Sequence, residues 1–310
     1  MSRICSYAAA VCAIFIGISL YSLIPPPLNV SARELIRGSI VVVTGASSGI
    51  GAETAIQYGA LGARVVIGAR RLKELEAVAV RIRAAGGEAI AITGDMGEAS
   101  DCASLIEAAT TAWGGVDTLV VNHALFDEGL FVERNAASLE TTLGAQLRVN
   151  VLGAAWLVSA ALPWLEKSSR GGRIIEVSSG TTRIAAPFHP GYGASKSGAA
   201  GLFRHISAEL SLLHSNVTIT SAVLGMIATP EILQHKGLAE SAYPVPDTAR
   251  GIIEAGAARV KVAFVPKWIA IGTWLAYLSP TLEHMFMNDF YTQRVPAYVA
   301  KLQEHSRIAK

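Results

Sequence analysis

The chain reads IVVVTGASSGIGAETAIQYGAL from Ile40 to Leu61. A short run of β-branched residues passes directly into a glycine-containing loop, 44–51, and then into residues with helical character. Glycines let a backbone approach a bound group closely, and the free amides at the start of a helix attract a phosphate. The stretch therefore predicts the first strand, loop and helix of a βαβ unit, with a pyrophosphate bound at the loop. The residues expected to contact that group are Gly45, Ser47, Ser48, Gly49, Ile50 and Gly51.

Short β-branched runs and longer amphipathic stretches continue to alternate after this unit, which is typical of an α/β fold with a parallel sheet. We predict a doubly wound, Rossmann-type parallel sheet of about seven strands in one domain that spans residues 36–265. The predicted strands are Ile40–Thr44, Arg64–Gly68, Ala89–Thr93, Asp117–Asn122, Arg173–Ser178, Val217–Leu224 and Val260–Val265. The glycines expected to end the intervening helices are Gly62, Gly86, Gly114 and Gly171.

Two arginines, Arg70 and Arg71, follow the second predicted strand. Sites specific for NAD(H) commonly carry an acidic residue at this point, which binds the 2′-hydroxyl of the ribose. Two guanidinium groups instead suit a 2′-phosphate, so the sequence favours NADP(H) as the cofactor. The alternative is that both arginines only solvate the start of the next helix.

Tyr192 and Lys196 lie in the stretch YGASK and would share one face of a helix. An unperturbed tyrosine has a pKa of about 10, and a nearby ammonium favours its phenolate. The pair could therefore exchange a proton with a carbonyl or an alcohol. Ser178 and Ser179 follow the fifth predicted strand to the edge of the sheet where ligands bind, although either could instead cap the loop that follows.

These motifs together resemble those of the short-chain dehydrogenase/reductase family over most of the predicted domain. The loop 44–51 matches its T-G-x-x-x-G-x-G motif, and Tyr192 with Lys196 matches its Y-x-x-x-K motif. The resemblance implies that Tyr192, Lys196, Ser179 and Asn150 are catalytic residues of an oxidoreductase that interconverts ketones and secondary alcohols. It also implies that both Tyr192 and Lys196 contact the cofactor. The further cofactor contacts that it implies are Asp95, Met96, Asn122, Ile227 and Thr229.

Two motifs depart from the usual form of the family. The expected N-N-A-G reads Asn122-His123-Ala124-Leu125, and the expected P-G after the sixth strand reads Leu224-Gly225. Both variants are similar to the branch that contains the 11β-hydroxysteroid dehydrogenases. That likeness implies a lipophilic, steroid-like substrate, a homodimer and a catalytic domain in the lumen of the endoplasmic reticulum. A retinoid or a xenobiotic carbonyl is the alternative substrate. His189, just before Tyr192, either faces solvent or contacts the substrate.

The amino-terminal segment, residues 1–30, contains an uncharged run from Tyr7 to Ile24 that ends at three prolines. Its length is about the shortest that spans a bilayer, so we predict a single membrane-anchor helix. A cleaved signal peptide is the alternative. The charges on the two sides of the run do not decide its orientation, and the sequons at Asn29 and Asn216 are compatible with a luminal domain.

The carboxyl-terminal segment, residues 266–310, begins with a stretch rich in aromatic and aliphatic residues. A tail that only faced water would not keep such apolar density. We predict a helical tail that packs on the domain or on a dimer partner, or else forms a substrate lid or a membrane contact.

The composition excludes several classes of function. Charged residues make up 16% of the 310 residues, and the mean hydropathy is +0.41. Such a chain is too apolar for a disordered protein and an improbable nucleic-acid binder. No Cys or His spacing has the form of a metal site, so no metal is expected. A catalytically silent NADP(H)-binding membrane scaffold is the alternative to an enzyme, and the intact catalytic set argues against it.

Overall fold

The computed structural model describes residues 30–234, 236–240 and 242–279, together with residues 281, 283–285, 287 and 300. The predicted membrane anchor at residues 1–30 lies outside this part of the chain except for Val30, so it stays a prediction. The predicted tail is described as far as residue 279 and at the few positions beyond it.

Seven parallel strands form one sheet in the order β3-β2-β1-β4-β5-β6-β7. Every predicted strand is present and only the ends differ slightly, which confirms the predicted doubly wound sheet. The winding reverses between β1 and β4, and open sheets of this kind bind ligands beyond the carboxyl ends of the strands at that point. The strands are β1 Ile40–Thr44, β2 Arg64–Ala69, β3 Glu88–Thr93, β4 Thr118–Val121, β5 Arg173–Ser179, β6 Thr218–Leu224 and β7 Val262–Val265.

Helices cover both faces of this sheet, because successive strand residues point to opposite sides and nearly all of them are apolar. On one face Val43 packs in a core that includes Tyr58. On the other, Val42 belongs to a core with Leu157 and Phe203. The helices are α1 Val30–Ile36, α2 Gly49–Ala60, α3 Leu72–Ala84, α4 Ala99–Trp113, α5 Ala136–Lys167, α6 Pro190–Leu212, α7 Pro230–Leu233, α8 Lys236–Ala239, α9 Val245–Ala257 and α10 Ile269–Leu278.

The glycines predicted to end helices adopt the left-handed backbone conformation that this position favours. Gly62, Gly86, Gly114 and Gly171 follow α2, α3, α4 and α5, and their φ angles lie between +69° and +101°. Each lets the chain leave a helix and turn towards the next strand without the steric cost that a side chain would add.

The long helix α5 contains two π-helical turns, Glu140–Gly144 and Arg148–Leu152. By length and composition α5 is apolar enough to cross a membrane. Here its apolar face instead packs in the core, where Leu157 is fully buried. At Gly153 the helix backbone lies so close to the loop after β3 that an added Cβ would overlap the carbonyl oxygen of Met96.

The beginning of the apolar tail packs on the domain. Ile269 and Ala270, in the first turn of α10, are buried against Phe264 of β7. Trp268 and Trp274 are exposed. These contacts concern only the start of the tail, and the predicted packing of the whole tail on the domain or a partner, like its roles as a lid or a membrane contact, stays a prediction.

Replacement by alanine should have opposite effects on the stability of the protein at two glycines that lie in helices. We expect Gly153→Ala to lower the free energy of unfolding by about 1–3 kcal/mol, because its Cβ must displace backbone. Gly201→Ala, in α6, meets no atom within 4 Å and should raise it by about 0.5–1 kcal/mol through helix propensity. Urea unfolding of both variants measures the difference, and equal effects would contradict the close contact at Gly153.

Candidate active site

A cleft of about 810 Å³ opens at the carboxyl edge of the sheet. The glycine loop between β1 and α2 contributes to its walls, and so do Trp268, Ile269 and Met287. All the predicted site residues except Asn150 lie on its walls. The fold therefore gathers into one space residues that are spread over most of the domain sequence.

The glycine loop is held in shape by Asn122, at the end of β4. Its Nδ2 donates hydrogen bonds to the carbonyl oxygens of Thr44, at 3.0 Å, and Gly45, at 3.2 Å. Gly45 has a φ of +64°, and an added Cβ at Gly51 would collide with the Asn122 amide. The loop is thus a tight cradle whose glycines let the backbone approach a bound group closely.

The start of α2 is suited to a phosphate. Ser48 precedes the helix but its side chain makes no capping hydrogen bond, and no acidic residue lies in the first turn. The side chain of Arg71 crosses the loop, and its Nη2 donates to Ser47 Oγ and Ser48 Oγ, both at 2.8 Å. Arg70 is exposed beside it. Free helix amides and two guanidinium groups therefore fit a phosphate-bearing dinucleotide.

Tyr192 and Lys196 lie one turn apart near the start of α6. The Lys196 ammonium is 5.9 Å from the centre of the Tyr192 ring, and it donates a hydrogen bond to the carbonyl oxygen of Val177 at 2.9 Å. Ser179, at the end of β5, accepts hydrogen bonds from the Thr181 amide and hydroxyl, and the described residues take none from it. Its own proton can therefore be donated to a ligand oxygen in the cleft.

Asn150 lies in the second π-helical turn of α5 and is 4% exposed. Its side-chain amide accepts from the Leu125 amide at 2.7 Å and donates to the Leu125 carbonyl at 2.9 Å. It also donates to Ser195 Oγ on α6. Asn150 therefore joins α5, α6 and the loop after β4 behind the cleft wall, which is why it does not itself line the cleft.

The other predicted cofactor contacts lie around the rim of the cleft. Asp95 follows β3 and its carboxylate accepts from the Gly97 amide, which fixes its orientation, while Met96 is buried below it. Ile227 is buried beyond β6, and Thr229 precedes α7.

His123 occupies the position at which the family motif usually has asparagine, and it is buried behind the cleft. Its Nδ1 is 2.9 Å from Thr44 Oγ1, and its Nε2 is 3.0 Å from the Val149 carbonyl. A carbonyl can only accept, so Nε2 carries the proton. Burial, together with the nearby charge of Lys196, lowers the pKa of His123 to about 4. His123 is therefore a neutral link between β1 and the helix that carries Asn150.

The aromatic wall beside Tyr192 and Lys196 was not predicted from the sequence. The Phe126 ring lies 5.1 Å from the Tyr192 ring in an edge-to-face arrangement and 4.9 Å from the His189 ring. His189 lines the cleft rather than facing open solvent, while Phe188 is buried with a φ of +67°. No motif marks Phe126, and only its position shortly after the N-H-A-L motif could have indicated it.

Comparison with known proteins identifies the family. A model of the short chain dehydrogenase family matches residues 39–236. The chain belongs to this family. Membership makes the protein an oxidoreductase of the type that acts on alcohol and carbonyl groups, in agreement with the grouping of Tyr192, Lys196 and Ser179 in one cleft.

The chain is similar over most of its length to members of this family with hydroxysteroid names. The Danio rerio "Hydroxysteroid 11-beta-dehydrogenase 1-like protein" is 34% identical over 286 residues, which cover 91% of this chain and 96% of that protein. The Gallus gallus protein of the same name is 34% identical over 260 residues, or 82% and 88% of the two chains. The resemblance inferred from the motifs is thus confirmed.

Solved structures of short-chain dehydrogenases share the fold. A short chain dehydrogenase/reductase from Burkholderia phymatum, in complex with NAD, has a TM-score of 0.72 at 23% identity and covers 80% of this chain and 96% of its own. A putative short-chain alcohol dehydrogenase from Sinorhizobium meliloti has a TM-score of 0.65 at 26% identity, with 74% and 94% covered.

The neutral His123 should make the protein sensitive to acid. The histidine takes up a proton near pH 6.5 when unfolded but only near pH 4 when folded, so its contribution to stability is complete above pH 6.5 and is lost as the pH falls to 4. The loss amounts to about 3 kcal/mol. We expect the free energy of unfolding, measured with urea at a series of pH values across this range, to decrease less for His123→Asn than for the wild type.

The exposed His205 on α6 provides the matched control, since His205→Asn should leave the slope of stability against pH unchanged. A His123→Asn protein whose stability falls as steeply as that of the wild type would contradict a neutral, buried histidine.

Proposed function

We propose that this protein is an NADP(H)-dependent oxidoreductase that interconverts a ketone and a secondary alcohol on a lipophilic, steroid-like substrate. The observation that carries the proposal is the single cleft, in which the phosphate cradle at Gly45–Gly51 and Arg71 is continuous with Tyr192, Ser179 and an apolar end.

When bound, the reduced cofactor supplies the hydride for the carbonyl carbon. Tyr192 donates its phenolic proton to the carbonyl oxygen, and the Ser179 hydroxyl donates a hydrogen bond to the same oxygen. Lys196 favours the phenolate that remains and holds the nicotinamide ribose. Asn150 orders a water that connects Lys196 to solvent, so that the proton is replaced. The reverse sequence oxidises an alcohol.

The preference for NADP(H) is supported by the two arginines after β2. Arg71 already binds the hydroxyls of Ser47 and Ser48 across the loop, so its guanidinium is oriented towards the cleft rather than only towards solvent. No acidic side chain occupies residues 68–71. A doubly charged phosphate is recognised well by guanidinium groups, whereas a bare ribose hydroxyl gains little from them.

The lipophilic substrate is supported by the far end of the cleft. Its walls include Ile184, Met226, Ile232, Leu238 and Trp268. Apolar walls around a few polar groups accept a rigid lipophile and exclude water from the reacting atoms. The names of the Danio rerio and Gallus gallus relatives add support for a steroid among the possible lipophiles.

The proposal includes the cellular setting. The uncharged run Tyr7–Ile24 anchors the chain as a single-pass protein of the endoplasmic reticulum membrane, with the catalytic domain in the lumen and two copies forming a homodimer. Support comes from the length of the run and from the likeness to the 11β-hydroxysteroid dehydrogenase branch.

Turnover by the purified, detergent-solubilised protein tests the reaction. We expect NADPH-dependent reduction of an 11-oxo steroid, with the product identified by chromatography. Tyr192→Phe should lose activity by at least about 100-fold while it still binds NADPH, because only the proton donor is removed. If the protein reduces another lipophilic ketone or a retinoid but no steroid, the proposed substrate class is wrong and the proposed reaction stands. If it binds NADPH but reduces no carbonyl compound, the result favours a catalytically silent, NADP(H)-binding scaffold.

The choice of cofactor is tested at Arg71. Arg71→Gln should raise the KM for NADPH by about 10–100-fold and leave the KM for NADH nearly unchanged, because a charged hydrogen bond to the 2′-phosphate contributes about 1.5–3 kcal/mol. Arg81→Gln, on the exposed side of α3, is the matched control. An equal rise in the KM for NADPH and for NADH would contradict a contact between Arg71 and the 2′-phosphate.

A further inference from the structure

A buried carboxylate lies directly behind the catalytic residues. Glu176 is 2% exposed in the middle of β5, one residue before Val177. Its Oε2 accepts a 2.7 Å hydrogen bond from Ser221 Oγ, on the paired residue of β6. The described residues offer no hydrogen bond to its Oε1. Burial of an ionisable group at this depth is costly unless a charge compensates it.

Glu176 faces the same side of the sheet as the catalytic helix α6. Strand side chains alternate, so Glu176 shares a face with Ile174, which packs in the core that includes Phe203 of α6. Lys196 extends from α6 to the same strand, where its ammonium binds the Val177 carbonyl. The carboxylate and the ammonium therefore approach neighbouring residues of β5 from one side.

The charged groups around Glu176 are few. Burial raises the pKa of Glu176, and this effect is opposed by the Ser221 hydroxyl, the charge of Lys196, the Ser178 hydroxyl and the charge of Arg183. The nearby positive charges and the two hydroxyls thus favour the ionised carboxylate against the cost of its burial.

We propose that Glu176 is a positioning residue of the active site, which keeps the Lys196 ammonium charged and bound to the Val177 carbonyl. The inference rests on the proposed role of Lys196 beside Tyr192. Among the described residues, the Tyr192 phenol and His123 also lie near Lys196, and neither supplies a negative charge while Tyr192 is protonated. Without Glu176, a mostly buried ammonium would lose its counter-charge and release its proton more readily.

The test measures the protonation of Lys196 in the ligand-free protein. Only a neutral amine reacts with acetic anhydride, so trace labelling at a series of pH values, read by mass spectrometry, gives the pH at which half of Lys196 is reactive. In Glu176→Gln, which keeps the size of the side chain and can still accept from Ser221, this midpoint should fall by about one pH unit or more. The labelling midpoint of the exposed Lys73, measured in the same samples, should be the same in the variant and the wild type.

Three further variants make the result specific. Glu176→Asp keeps the negative charge, so its Lys196 midpoint should lie close to that of the wild type. Thr220→Val, a buried change on the opposite face of β6, should leave the Lys196 midpoint unchanged. If Glu176→Gln does not fold, Glu176→Met gives the same comparison without an unsatisfied polar group. An unchanged Lys196 midpoint in the folded Gln or Met variant would overturn the proposal, as would an Asp variant that behaves like Gln.

A second readout uses catalysis. The alkaline limb of kcat/KM for NADPH-dependent reduction should move to lower pH in Glu176→Gln by about the same amount, while activity near pH 6 stays within about twofold of the wild type. A uniform loss at every pH would indicate a merely structural residue and would overturn the proposal. Failure of the wild type to reduce any carbonyl would instead count against the proposed function, since the labelling experiment does not depend on turnover.

Discussion

The hydrogen bond from the Lys196 ammonium to the Val177 carbonyl joins the two elements that make the catalytic end of the cleft. One partner belongs to helix α6, which carries Tyr192, and the other to strand β5, which ends at Ser179. If the helix slid along the strand by one turn, Tyr192 would move relative to Ser179. A buried cation bound to backbone thus fixes the position of Tyr192 relative to Ser179 in the cleft.

Behind the cleft wall lies a group of buried polar side chains, each of which is held by hydrogen bonds to particular partners. Asn150 satisfies the backbone of Leu125 and reaches Ser195, while His123 connects Thr44 to Val149. Each pairing leaves a neutral side chain hydrogen-bonded behind the cleft wall. Glu176 differs from both, because the described residues offer no hydrogen bond to one of its carboxylate oxygens, and its burial is offset by the Ser221 and Ser178 hydroxyls and by the charges of Lys196 and Arg183.

Much of the fold and of the site could be predicted, because the relevant signals are local. The glycine loop, the strand runs and the glycines that end helices each depend on neighbouring residues, and the structure places all of them as predicted. The spacing of Tyr192 and Lys196 likewise needs only one helix. Phe126 and Glu176 could not be found this way. Their significance arises from packing between elements distant in sequence, and Glu176 reads as an ordinary residue in a β-rich run until its burial is known.

The chain enters the domain at the middle of the sheet rather than at an edge. The residues just before β1 are tied down by Arg170, which binds the Leu35 carbonyl, and by Arg64, which binds the Gly38 carbonyl, while the Asp117 carboxylate accepts from the Ile40 amide. The consequence is mechanical. A pull on the amino-terminal segment loads β1 along its own axis, in shear against β2 and β4 together, instead of peeling away an edge strand one hydrogen bond at a time. Force applied at the amino-terminal end of the domain therefore meets two neighbouring strands at once.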